Sequence, residues 1–532
     1  MNKHLLLVTS VALFSFAAHT NAQAPVLGTS AGFALFSTNG AVSSTGLSHI
    51  TGNVGTNNGS STNFGNVDGV MHDADGTTAN AAASLTVAYN QLDAAIPNFF
   101  PAPVLGNGQS LNAGTYFIGE SASLNNALTL NAQGNPNAVF IFQIEGAFSS
   151  AAGAQVLLTN GALACNVFWK IEGLVDLATN TIMKGTIVAN NAAIILNTGV
   201  SLEGRALSTT GAITVSGVTV VMPLGCGTPV LTGPTAPVLN TVACYTVFSG
   251  NGAVANTGVS FVTGDIGTNV GLTTGFQTEN VTGTIHPNPD VSTAQCALDL
   301  NNVYTYLSTL PVDIELLYPA AFGQNLVLTP HTYLMNAATV LNGTVFLNAQ
   351  NNPDAVFVIK IVGALSTSTY ASVVLQNGAQ AKNVFWKIDG ATSLNDYASF
   401  RGTLIGNNGA VILNTGTNIE GRVLSTSGGI STFGINAQMT PGCGALGIND
   451  VIKAKAQFYP NPFTSSFNVT LADFDSGSSE LTIYNALGMV VLKTSLTQST
   501  TSIPMNVASG IYYYKLSGAD GTLQSGKLIS RQ

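Results

Sequence analysis

A single domain is written twice in this chain, and the duplication limits the fold more than any other feature does. Gln-Gly-Asn-Pro-Asn-Ala-Val-Phe at 133–140 returns as Gln-Asn-Asn-Pro-Asp-Ala-Val-Phe at 350–357, an offset of 217 residues. Asn-Val-Phe-Trp-Lys-Ile at 166–171 and LNTGVSLEGRALSTTG at 196–211 return at the same offset, at 383–388 and 413–428, and both tryptophans lie here. Nearer the start, Gly-Asn-Val-Gly-Thr-Asn at 52–57 returns as Gly-Asp-Ile-Gly-Thr-Asn at 264–269, an offset of 212. Small insertions therefore separate two otherwise parallel copies. Between them, residues 227–237 hold three prolines and two glycines, a short and semi-stiff linker.

Each copy predicts one good helix. Residues 75–96 place Ala82, Leu85, Ala88 and Leu92 on one face before Pro97, and residues 291–310 repeat this before Pro311. The rest reads as short strands divided by Gly and Asn, such as 138–145, 186–189, 194–196 and 212–215. Lys184 and Glu203, Ile194 and Ile213, and Thr179 and Thr198 are each nineteen residues apart. Three short strands in that period fit one turn of a parallel β-solenoid. The register sets Lys184 beside Glu203 and Arg401 beside Glu420; such surface pairs contribute only about 0.2–1 kcal/mol and serve as register markers. The apolar stripe of the helix needs a solenoid face to cover it. Ile194-Ile195-Leu196 and Val411-Ile412-Leu413, apolar on both alternating sides, are predicted to be strands buried on both faces.

Composition excludes several functions. The 15 Lys+Arg and 24 Asp+Glu make up 7% of the chain, against roughly a quarter in an ordinary soluble domain. With a net charge of −9 and no basic cluster, nucleic acid is not an expected partner. Thr, Ser and Asn carry the polar load instead. The six histidines (His4, His19, His49, His72, His286, His331) show no metal-ligand spacing, and no phosphate loop or nucleophile elbow is present. No acidic pair recurs in both copies; Asp176, for example, meets Ser393. No catalytic residue, metal or cofactor is expected. Residues 1–22 read as a secretory signal: a short positive start, an apolar run at 5–18 and a small-residue cleavage site at Thr20-Asn21-Ala22. No later stretch is long and apolar enough to span a bilayer once that signal is removed.

What recurs is Thr-Gly-x-Ser/Asn, at Thr45–Ser48, Thr198–Ser201, Thr257–Ser260 and Thr415–Asn418. Glycine supplies turn geometry, so these runs read equally well as solenoid corners. Threonine offers both a methyl and a hydroxyl, and turns stacked about 4.8 Å apart would set such groups in a flat lattice. That lattice suits a crystalline ligand with a repeating surface, above all ice. The candidate contacts are Thr45, Ser48, Thr179, Thr181, Thr198, Ser201, Thr257, Ser260, Thr415, Thr417 and Asn418.

Both copies resemble the bacterial and fungal ice-binding proteins over residues 27–225 and 239–442. The resemblance rests on the Gly-Asn/Asp-Val/Ile-Gly-Thr-Asn opening, the helix ending at Pro97 or Pro311, Asn-Pro-x-Ala-Val-Phe, Asn-Val-Phe-Trp and Glu-Gly-Arg-x-Leu-Ser-Thr. It implies a mostly β fold of two irregular right-handed parallel β-solenoids, each with one long packed α-helix. It also implies adsorption to ice, with curvature between bound molecules opposing growth and recrystallisation. Of the four Thr-Gly runs, only Thr415–Asn418 fully matches the family's Thr-Ala/Gly-x-Thr/Asn pattern; the others end in Ser.

Residues 456–532 read as a small antiparallel β-sandwich. Tyr-Pro-Asn-Pro-Phe at 459–463, Ile-Tyr-Asn at 483–485 and Ser-Gly-Ile-Tyr at 509–512 resemble the C-terminal sorting domain of type IX secretion. That resemblance implies engagement of the type IX machinery and a secreted or surface-attached product. The expected organisation is a signal (1–22), a first solenoid (23–226), a linker (227–237), a second solenoid (238–445), a linker (446–455) and the sorting domain. Among the five cysteines, Cys244 and Cys296 have Gly32 and Ala81 at the matching places of the first copy, so a bridge between them is predicted. Cys165 and Cys226 are candidates for a bond in the first copy, with Cys443 left over. The alternatives are a glycan-binding surface adhesin, which needs aromatic platforms, and a polysaccharide-active enzyme, which needs clustered carboxylates.

Overall fold

The computed structural model describes residues 22–227, 229–288, 290–441, 443, 456–471, 479–518 and 521–531. The signal and the linker at 446–455 fall outside the described residues, apart from Ala22. Two compact units divide between residues 442 and 443, and both solenoids lie in the first.

Within each solenoid three short strands make one turn, and successive turns pair in parallel, but not in sequence order. On one face of the first copy the order is Ser61–Thr62, Val42–Thr45, Ile213–Ser216, Ile194–Leu196, Val175–Leu177, Phe148–Ser150, Ala122–Asn125, Val104–Gly106. The N-terminal strands thus cap the end at which the last turn finishes. Helix α1 (Gly76–Asp93) carries the chain back along the stack, and residues 104–221 wind up until Ser201–Ser208 pairs with Phe33–Ser37. Eighteen helical residues span about 27 Å, against about 34 Å for the seven spacings of an eight-stranded face, so the helix crosses most of the stack. The second copy repeats the device with α2 (Val291–Thr309) and the pairing of Asn418–Ser425 with Tyr245–Ser249.

The predicted register holds. Lys184 pairs with Glu203 across adjacent strands, with an ion pair of 2.7 Å, and Arg401 with Glu420 at 2.9 Å. Both strands of each pair turn a corner one residue later. There a Cβ on Gly204 would lie 1.8 Å from the Gly185 carbonyl oxygen, so only glycine allows consecutive turns to stack.

The helix covers one face of each solenoid. Asp75 caps α1 by accepting from Thr78 N, and Ala81, Leu85 and Leu92 pack on Phe36, Ile141, Phe168, Val188 and Leu207. The C-terminal carbonyls of the helix are also held: Gln143 donates to Leu92 O and Ala95 O, and its counterpart Lys360 to Ser308 O and Leu310 O. Lys170, buried beside α1, is bound by Asp93, Glu145 and Glu172 at 2.7–2.8 Å. Burial alone would lower its pKa, but these carboxylates raise it and keep it charged.

Two expectations are corrected. The strands Ile194–Leu196 and Val411–Leu413 are not buried on both sides: Ile195 is half-buried and Ile412 is 37% exposed, both facing outward on a sheet that no helix covers. The helix lies instead on the neighbouring face, whose inner and outer sides are both apolar. Nor do Cys244 and Cys296 bond. Cys296 is a free thiol, fully buried against Tyr245, Phe248 and Val242 on the solenoid side of α2. Cys244 and Cys443 are both disulfide-bonded, and Cys165 bonds Cys226.

The two solenoids meet end to end. Asn66 exchanges hydrogen bonds with Tyr318 backbone, and Asp68 accepts from Thr329 N, Thr329 Oγ1 and Tyr333 OH, all in a buried junction. The linker is docked too, with Val356 N donating to Thr232 O at 2.8 Å.

The second unit is antiparallel. Ala456–Tyr459, Ser466–Leu471 and Thr500–Pro504 form one sheet, and Val490–Leu496, Ser479–Tyr484, Gly510–Gly518 and Gly521–Ser530 the other. Phe467, Val469, Leu481, Ile483 and Leu528 fill the space between them.

Candidate functional site

Each solenoid has three faces, and two are poorly suited to a flat ligand. One is under the helix. A second carries the Lys184–Glu203 and Arg401–Glu420 ion pairs, so it is not free of charge. The third is the eight-stranded sheet that begins, in the first copy, at Ser61–Thr62.

Its outward side chains stand in straight rows, because parallel pairing places like positions one above another. In the first copy the central row is Val104, Ser123, Ser149, Asp176, Ile195, Thr214, Ser43 and Thr62. In the second it is Val340, Ser366, Ser393, Ile412, Ser431, Ala255 and Thr274. A second row runs beside it through Ala147, Leu174, Ala193, Ala212, Ala41 and Ser60, and through Ala338, Ala364, Ala391, Ala410, Gly429, Ala253 and the exposed Leu272 at its end. The inward residues that alternate with these, such as Leu124, Phe148, Val175, Leu177, Leu365, Leu394 and Leu413, are all core. Small residues on the outer side of a rigid sheet make a plane of methyls and hydroxyls repeating about every 4.8 Å. The second copy's two rows contain no charged residue. The first copy's contain one, Asp176, whose carboxylate accepts from Asn197 Nδ2 at 2.8 Å.

The sequence-predicted residues lie along one edge of this sheet, at the corner leading to the charged face. Thr45, Thr179, Thr198, Thr257, Thr415 and Asn418 are exposed and Ser201 is half-buried. Thr198 Oγ1 lies 3.2 Å from Ser216 Oγ, and the backbone pairing of Asn180 N with Thr198 O sets Thr179 one turn from Thr198. Four residues are corrected: Ser48, Thr181, Ser260 and Thr417 are buried and face inward. Ser48 Oγ accepts from Ser44 and from Val218 N, and Ser260 Oγ donates to Asn256 and accepts from Ile435 N. Thr181 donates to Ala178 O and Thr417 to Asn414 O. The residue after the turn begins the next face with its side chain inward, and its hydroxyl satisfies corner backbone that lies outside the ladders.

Sequence reasoning missed the central rows. Their signal is the short triplet with a small polar middle, as in Ile213-Thr214-Val215, Leu365-Ser366-Thr367 and Thr392-Ser393-Leu394. Among the described residues no group of three or more His, Cys, Asp or Glu is placed to hold a metal ion, and no helix is long and apolar enough to cross a membrane.

Comparison with known proteins agrees with this architecture. Residues 36–221 and 248–435 match the family described as Ice-binding-like, and residues 457–531 the secretion system C-terminal sorting domain. An ice-binding protein from Nostoc sp. (strain HG1) is 36% identical over 217 residues, 40% of this chain and 80% of that protein. One from Colwellia sp is 30% identical over 216 residues, 37% of this chain and 82% of that protein. The crystal structure of an ice-binding protein from an Antarctic Flavobacteriaceae bacterium is 75% identical, with a TM-score of 0.79 over 79% of this chain and all of its own.

Proposed function

Because the chain belongs to the ice-binding-like family, we propose that it adsorbs to ice through the uncovered flat faces of its two solenoids. The chain carries a secretion-sorting tail and is a secreted or outer-surface protein. In this reading the tail, residues 456–532, engages the type IX secretion machinery, and the ice-contacting parts are the solenoids at 23–226 and 238–445.

The observation that carries the reading is the paired rows, mostly of Ala and Ser/Thr, on the one uncovered face of each copy that is nearly free of charge. Ice offers no isolated charge to pair with, so a charged group would lose hydration on contact without compensation. Small side chains held at a fixed repeat instead match a repeating solid over many weak contacts at once, and the stiff sheet loses little freedom on binding. Thr45, Thr198, Thr257 and Thr415 extend the face at its edge, with Thr179, Ser201 and Asn418 at the rim. Bound molecules pin the crystal surface, ice bulges between them, and the curvature opposes growth and recrystallisation. No chemical step is involved, and the family is not known for catalysis.

The test is freezing hysteresis and crystal shape in the presence of the purified chain. Faceted crystals whose growth halts below the melting point are expected. Round discs that grow and coarsen as in plain buffer would overturn the proposal.

A further inference from the structure

At one corner the second solenoid departs from the first in a way the ice face does not need. Tyr370 and Tyr397 occupy left-handed backbone, φ +60° and +59°, where the first copy has Gly153 at +70° and Asn180 at +60°. Gly and Asn adopt this conformation easily, whereas a bulky side chain there is an outlier. The two rings are one turn apart and stack on each other, with centroids 5.1 Å apart and planes 11° from parallel. Both are open to solvent, at 69% and 51%. Gly416, on the next turn, gives the lower ring its seat: a Cβ there would lie 2.5 Å from the Tyr397 ring.

The free side of the stack opens on a notch. Leu341 pairs with Thr367 and Thr344 with Ser372, so the turn beyond Tyr370 rounds the corner with only Asn342 and Gly343, where the tyrosine turn uses 368–371. Nothing lies within 4 Å of a Cβ built on Gly343. The outer ring face of Tyr370 therefore forms a wall above a floor of Gly343 and Asn342. Beside it runs a row of hydroxyls and amides, Thr344, Ser372, Ser399, Asn418 and Asn436, in register along the adjoining face.

The geometry points to a carbohydrate site: the Tyr370–Tyr397 stack in the second solenoid binds a hexopyranose of a neutral polysaccharide. A pyranose ring has an apolar C–H face and a polar hydroxyl edge, which the ring wall and the hydroxyl–amide row complement in turn. Two exposed tyrosines offer large contact area at low cost in side-chain freedom. Exposed Asp396, next to Tyr397, opposes an anionic polymer and favours a neutral one. The stack borders the rim of the ice face and shares Asn418 with it, but it lies outside the central rows and does not depend on them.

The test is native gel electrophoresis of the full chain through gels containing a neutral β-glucan, a neutral α-glucan or, as the anionic control, alginate. The partner variant carries Tyr370→Gly and Tyr397→Asn, the first copy's own residues, so its fold is accommodated. At least one neutral polysaccharide is expected to retard the wild-type chain, and the variant's apparent affinity to fall by about fivefold or more with its hysteresis unchanged. Three results would overturn the proposal: no retardation of the wild type by either neutral polymer, equal retardation of chain and variant, or equal retardation by alginate. A variant that loses hysteresis, with no retardation in either protein, would assign the stack to ice instead.

Discussion

Several side chains that look functional in the sequence are parts of the scaffold. Arg422 of the Glu-Gly-Arg turn is fully buried, donating through Nε and Nη2 to Ala243 O and through Nη1 and Nη2 to Thr440. Burial lowers its pKa to about 10, which leaves it charged at neutral pH. Its fork ties the strand that follows the corner to the 3-10 turn at Asn240–Cys244, where the second copy begins. Arg422→Ala strands the Ala243 and Thr440 acceptors and opens a cavity, so thermal or urea unfolding should show a loss of about 3 kcal/mol or more. Arg422→Lys should recover less than half of it, because an ammonium cannot reproduce the fork. A loss below about 0.5 kcal/mol for the alanine variant would contradict this role. The buried hydroxyls of Ser48 and Ser260 belong to the same class. They repeat in sequence because corners repeat, which is why the Thr-Gly-x-Ser pattern mixed exposed threonines with inward serines.

Among elements, the helices are set by their caps. Backbone donation from Thr78, then the bond to His72, hold the Asp75 carboxyl below its ordinary value of 3.8, and His286 followed by Ser292 does the same for Asp290. A carboxyl lowered in the folded state contributes stability that is complete above its unfolded pKa and is lost as pH falls through the folded one. The melting temperature should therefore drop as pH falls below about 4, the ordinary carboxylate range, and less steeply in Asp75→Asn/Asp290→Asn, since Asn caps without titrating. Parallel curves for the two proteins would show that the caps do not contribute. The helices and the strand register were legible in the sequence because both follow from spacing: Lys184 and Glu203 meet since nineteen residues make one turn. Which side of a strand faces water was not. Ile194-Ile195-Leu196 reads as doubly buried, but only the three-dimensional route of α1 decides which sheet it covers. The bridge predicted between Cys244 and Cys296 failed for a similar reason: alignment places the two positions near each other, but the helix turns Cys296 into the core.

For the whole molecule, the duplication matters because the copies are joined rather than merely tethered. Asp68 is fully buried at the junction, and desolvation raises its pKa, opposed by His331 and by bonds from Tyr333 and Thr329. A carboxyl raised in the folded state makes stability fall as pH rises from its unfolded value through its folded one, so this contact is least costly below the unfolded value. On the proposed reading, two joined faces reaching one crystal would act at high effective concentration and strengthen adsorption without any new contact. The copies are not equivalent: the second has no charge in its two central rows, whereas the first has Asp176. The most direct measurement is freezing hysteresis of the full chain carrying Ser393→Tyr and Ser431→Tyr on the flat face of the second solenoid, compared with Ile182→Tyr on the charged face of the first. The flat-face variant should lose most of the hysteresis while keeping the wild-type melting temperature, and the charged-face variant should retain it. Full hysteresis in the flat-face variant, or its loss only on the charged face, would contradict the assignment.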